Sequence, residues 1–166
     1  MKSIIAIGVV IVAGFSSGCS RSETTSVPAQ ETVHKHEHHA PHGGTAVELG
    51  EEEYHVELVL DASAGKLQAF ILDGELENFV RIPEASFEIA AELPGKEEVL
   101  TMKAIPNRAT GETVGDTALF EAQAEWLKTT PTFNAVIKDL TVRDNRYQNI
   151  AFNFPKGNDT DEKEKK

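Results

Sequence analysis

Five of the chain's six histidines fall within nine consecutive positions, at His34, His36, His38, His39 and His42. Neutral imidazole is the commonest side-chain ligand for zinc, copper(II), nickel and cobalt, and a short tract of this kind offers several donors at close range. The spacing does not make a catalytic zinc helix. An H-E-x-x-H pattern begun at His36-Glu37 would need its second histidine at the position of Ala40. The expected chemistry is therefore ion capture by a loose arm. Organising all nine positions around one ion would cost on the order of 10 kcal/mol of backbone entropy, so two or three histidines are expected to act at a time. Binding of that kind is moderate, exchangeable and poorly selective among divalent ions, with zinc the leading candidate and copper(II), nickel or cobalt the others.

The sixth histidine, His55, sits two residues before Glu57 in an alternating run, which starts their side chains about 6.6 Å apart on one face of a strand. If His42, tethered by Gly43-Gly44, folds back beside them, the result is a two-histidine, one-carboxylate set with open positions. The competing expectation is that His55 and Glu57 are simply the solvated face of that strand. His34-x-His36 also resembles the opening of the H-x-H-x-D-H motif of metallo-β-lactamases, with His39 in the last place. His38 stands where the aspartate belongs, and that family needs a larger α/β fold. Beyond the leader of residues 1–18 there is no G-x-S-x-G elbow, and the single cysteine has another use, so no nucleophile is available in the domain and no enzyme is expected.

The elements that would carry these residues are short runs of period two. Tyr54, Val56, Leu58 and Leu60 alternate with His55, Glu57, Val59 and Asp61, which marks a half-buried strand. Residues 66–73 form a second strand, closed by the turn signal Asp73-Gly74. Residues 87–93 end at Pro94-Gly95-Lys96, residues 99–105 end at Pro106-Asn107, and a long loop follows over 107–117. The run from Phe120 predicts a strand finishing in a helical turn near Trp126-Leu127, and residues 133–142 and 147–154 predict two strands joined through Arg143-Asp144-Asn145-Arg146. Phe120, Tyr54 and Trp126 lie on the apolar side of such runs and are expected in or at the edge of the core. Met102 is a lone thioether, which gives no support to a copper(I) site. Glu51-Glu52-Glu53 reads as a solvated turn, close enough to His55 to add weak oxygen ligands. No segment between Thr45 and Phe154 has the pattern of a three-turn amphipathic helix. The expected fold is all-β, a single antiparallel β-sandwich, immunoglobulin-like, of seven to eight strands.

Residues 1–18 predict an export signal: Lys2, an apolar run from Ile4 to Phe15, then Ser16-Ser17-Gly18 before Cys19. The run is shorter than the about 20 residues of a membrane span. Phe15-Ser16-Ser17-Gly18-Cys19 resembles a bacterial lipobox, with Ser16 where leucine is usual, and the resemblance implies lipidation at Cys19 and attachment to a membrane. The alternative is general signal cleavage and a soluble secreted protein. One cysteine permits no intrachain disulfide. The formal net charge is −11 and becomes −12 once the leader carrying Lys2 is gone. An acidic exported chain is a poor partner for nucleic acid and a better one for cations.

Pro41-His42-Gly43-Gly44-Thr45, followed by Val47-Glu48-Leu49-Gly50 and Tyr54-His55-Val56-Glu57, resembles small exported His-rich proteins of bacteria. It is also similar to the His-rich N-terminal segment of some periplasmic adaptor subunits of heavy-metal efflux pumps. The likeness covers about residues 34–73 and implies handling of divalent metal in the cell envelope, with His42 and His55 the matching positions. The hairpin and lipoyl-like domains of such adaptors are absent, so an accessory to an efflux protein, not a pump bridge, is what it implies. The expected organisation is a signal peptide (1–18), a lipid-anchored His-rich linker (19–43), a sandwich (44–155) and a charged disordered tail (156–166). The rival expectation is an envelope protein–protein interaction module in which the histidines are only a spacer.

Overall fold

Short alternating runs separated by Gly, Pro and Asp leave the chain one economical way to bury its apolar side chains, which is to pair neighbouring strands antiparallel with one face inward. The computed structural model describes residues 39–159 and has this architecture. Eight strands occur in order: β1 (Thr45–Leu49), β2 (Tyr54–Asp61), β3 (Lys66–Asp73), β4 (Ser86–Leu93), β5 (Lys96–Ala104), β6 (Leu119–Gln123), β7 (Phe133–Val142) and β8 (Asn145–Phe154). A 3-10 turn at Glu125–Lys128 follows β6, where the sequence predicts the helical finish. The fold is all-β and antiparallel, as expected. Its two layers belong to one sheet, of order β1-β2-β3-β6-β5-β4-β7-β8, that wraps around a single core and nearly closes.

Inward positions follow the alternation. Val56 and Leu58 of β2, Leu67, Ala69 and Ile71 of β3, Ile89 of β4, Met102 of β5, Phe120 of β6 and Ile137 of β7 are all fully buried in one apolar cluster. Tyr54 and Trp126 pack at its edge. β1 is the strand that the alternation does not single out. Five residues, Thr-Ala-Val-Glu-Leu, give too short a period, and Ala, Glu and Leu favour helix locally; pairing with β2 through Val47↔Val56 overrides that preference.

The sheet is weakest where β5 and β6 meet, since only Lys103↔Glu121 and Ala104↔Phe120 are paired. Beyond those pairs the strands part around a cleft of about 620 Å³ beside Leu100, Ala122 and Trp126. At the other seam, between β1 and β8, the residues after β8 supply the closure. The Asn158 side chain acts as a backbone substitute, its Oδ1 accepting the Glu48 N–H (2.7 Å) and its Nδ2 donating to the Glu48 carbonyl (3.0 Å). Thr45 Oγ1 donates to the Pro155 carbonyl at 3.1 Å. Residues 155–158 therefore belong to the folded domain, and edge strand β1 is covered instead of open. Tyr147 of β8 adds a second clasp, its hydroxyl donating to Glu53 Oε2 at 2.6 Å. Burial, reinforced by that bond and the Glu53 charge, pushes the Tyr147 phenol up to about 12. Among the described residues no helix is long and apolar enough to cross a membrane.

Two outcomes follow for stability. Asn158→Ala is expected to cost about 1–2 kcal/mol in urea unfolding, the scale of two hydrogen bonds, against about 3–5 kcal/mol for Phe120→Ala in the core. A phenol whose pKa is higher folded (about 12) than unfolded (about 10) contributes stability that is fully present below pH 10 and is lost as pH rises towards 12. A stability profile over that window should therefore fall in the wild type and flatten in Tyr147→Phe.

Candidate functional site

Because Val56 and Leu58 of β2 point into the core, His55 and Glu57 point to the outside of the sheet. That outside is nonetheless covered: Glu57 is 0% exposed and His55 7%. The reading of these two as a solvated strand face does not hold, and the reason lies in their neighbours. Cross-strand partners Phe70 (opposite Glu57) and Leu72 (opposite His55) share their face, as directly opposed residues must. Residues 78–80 then run alongside the end of β3, bridging Leu72 to Phe79 and placing the Phe79 ring on the same side. Asp73 holds that turn by accepting the N–H groups of Glu77 (2.9 Å) and Asn78 (3.1 Å) and the Asn78 amide (2.6 Å). Partial burial works against its ionised form, but these bonds outweigh it and keep the Asp73 carboxyl below its ordinary range.

Across this apolar outer patch lies the end of the histidine arm. A turn closed by the Gly43 N–H donating to the Ala40 carbonyl (2.9 Å), with Gly43 at φ +66°, brings the chain back onto β2. Gly44 then lies against the strand so closely that a Cβ would stand 2.5 Å from the Leu58 carbonyl oxygen. Glu57 binds this strap. Its Oε1 accepts the backbone N–H of His42 (2.8 Å) and of Gly44 (2.9 Å), and its Oε2 is 2.7 Å from His42 Nδ1. The His42 ring stacks on Phe70 with centroids 4.0 Å apart and planes at 20°, and Phe79 tilts against it at 5.8 Å. His42 stays 38% exposed despite these contacts.

The structure thus brings His42 and Glu57 together, as the spacing suggests, and His42 does fold back through Gly43-Gly44. His55 takes a different partner, with Nδ1 3.3 Å from the Asp73 carbonyl. Among the described residues no three His, Cys, Asp or Glu side chains group as a metal site. His39 is exposed at the start of the described chain. His34, His36, His38 and Cys19 lie outside the described residues, as do the signal segment and most of the tail. Glu51 and Glu52 are exposed turn residues, and Glu53 is taken by Tyr147. Met102 is core.

Spacing alone does not single out Phe70 and Phe79 as site residues. A signal was present: residues 66–73 carry apolar side chains at both parities, Leu67, Ala69 and Ile71 against Phe70 and Leu72, which marks a strand covered on both faces. Comparison with protein-family models, curated proteins and solved structures gives no match.

Gly44→Ala tests whether the strap depends on this close approach. The added methyl should lift residues 42–44 from β2, erase hydrogen-exchange protection of the Gly44 amide and cost about 1–3 kcal/mol.

Proposed function

We propose that this chain is an envelope protein that captures divalent transition-metal ions, zinc foremost, through its histidine arm, serving as a buffer, chaperone or efflux accessory. The observation that carries the reading is His42. It ends the five-histidine run, and it is fastened to the domain by its ring nitrogen and its backbone while part of its ring stays open to solvent. An ion taken up by the arm at His34, His36, His38 or His39 then has a fixed ligand at the domain surface. One pre-ordered imidazole lowers the entropic cost of closing the remaining loop around the ion.

Capture suits these residues better than catalysis, because both oxygens of Glu57 are already accepting hydrogen bonds and neither is free to act as a base. An acidic chain favours cations as partners. In this reading Cys19 holds the protein to the membrane by a lipid and leaves the arm and domain facing the periplasm or the exterior.

Calorimetric titration of the untagged protein with zinc, nickel and copper(II) tests the reading. Binding tighter than millimolar is expected at pH 7.5, and it should weaken from pH 7 to 5 as protons compete for imidazole, whose ordinary pKa is about 6.5. Replacing His34, His36, His38 and His39 together should remove most of the affinity. No heat from any of the three ions would overturn the proposal.

A further inference from the structure

Glu57 is counted among the candidate ligands by residue type, yet its surroundings suit another role. The side chain is 0% exposed, and its two oxygens meet three groups: the backbone N–H donors of His42 and Gly44 at Oε1, and His42 Nδ1 at Oε2. With Glu57 ionised, as a carboxylate that only accepts hydrogen bonds, the proton shared at 2.7 Å sits on His42 Nδ1. In a neutral imidazole the other nitrogen is then a bare acceptor. Nε2 lies across the ring from Nδ1, on the side away from the buried carboxylate, and the Phe70 ring stacked at 4.0 Å fixes the plane in which it projects.

We propose that Glu57 is a positioning residue for metal capture and not itself a ligand: it holds the proton of His42 on Nδ1 and thereby presents Nε2 to the ion. The proposal rests on the metal-capture reading and deepens it by naming the ligating atom and the group that prepares it. Carboxylates placed behind ligating imidazoles act in this way generally, and losing one typically weakens metal binding by about 10–100-fold.

Glu57→Gln makes the role visible, because an amide has one acceptor and one donor end. Two backbone N–H groups compete with one imidazole for the remaining oxygen. The oxygen therefore stays with His42 N and Gly44 N, and the NH2 turns towards His42 Nδ1. That forces Nδ1 to accept and moves the ring proton to Nε2, where it blocks the ion.

The experiment is long-range proton–nitrogen correlation of the imidazoles in the 15N-labelled, untagged protein, with His42 assigned by its loss in His42→Ala, before and after zinc. The expected result is an Nδ1–H tautomer at His42, a zinc-induced shift at Nε2 with the Nδ1 proton retained, and in Glu57→Gln an Nε2–H tautomer with affinity at His42 about 10-fold lower or more. Zinc on Nδ1, a carboxylate shift showing Glu57 bound to zinc, or an unchanged tautomer in folded Glu57→Gln would overturn it. Shifts confined to His34, His36, His38 and His39 would overturn this proposal and leave capture by the arm standing. Shifts at no histidine would overturn the capture reading itself. If Glu57→Gln does not fold, the wild-type tautomer and zinc shifts still decide.

Discussion

The structure of the site depends on one constraint, a carboxylate with no solvent exposure on the outer face of a β-sheet. An ionised group taken from water must recover its lost hydration through donors. On β2 the nearest backbone amides are committed to the ladders with β1 and β3, so the donors come from outside the strand. The His42 and Gly44 amides and the His42 ring supply them. Satisfying Glu57 and seating the histidine arm are thus the same set of bonds.

Around that carboxylate the remaining features fall into place by packing. Phe70 and Leu72 make the outer face of β3 apolar, and the Asp73-capped turn folds Phe79 onto it. The His42 ring then completes a small aromatic group outside the main core, stacked on Phe70 and partly exposed. A histidine on a free arm would lose much of its motion on binding an ion; one whose ring and backbone N–H are both held by a carboxylate and whose ring is stacked on Phe70 has lost that motion already.

The rest of the sheet provides a stiff platform at modest cost. β2, β3, β4 and β7 are laddered on both sides, and the two places where pairing fails are handled differently. At the β1–β8 seam Asn158 imitates a backbone pair and Tyr147 clasps Glu53, which keeps β1, the neighbour of the site strand, in place. At the β5–β6 junction the strands are left apart, on the side of β3 away from β2.

Alternation in the sequence was enough to determine that this is an antiparallel all-β domain, that Val56 and Leu58 of β2 and Phe120 of β6 face inward, and that the chain turns helical near Trp126, because these depend on local period and turn chemistry. The five-histidine run was likewise plain, since it needs no fold to be seen. Whether the second face of β2 is wet or covered was not decided locally: His55 and Glu57 look like solvent residues, and only the return of residues 40–44 and 74–80 over them makes the face an interior. Nor could spacing show that Glu57 would spend its oxygens on His42 and Gly44 while His55 turns to the Asp73 carbonyl. Those choices compare hydrogen-bond partners 13 to 18 residues apart in the chain, and such partners acquire distances and directions only when the sheet has formed.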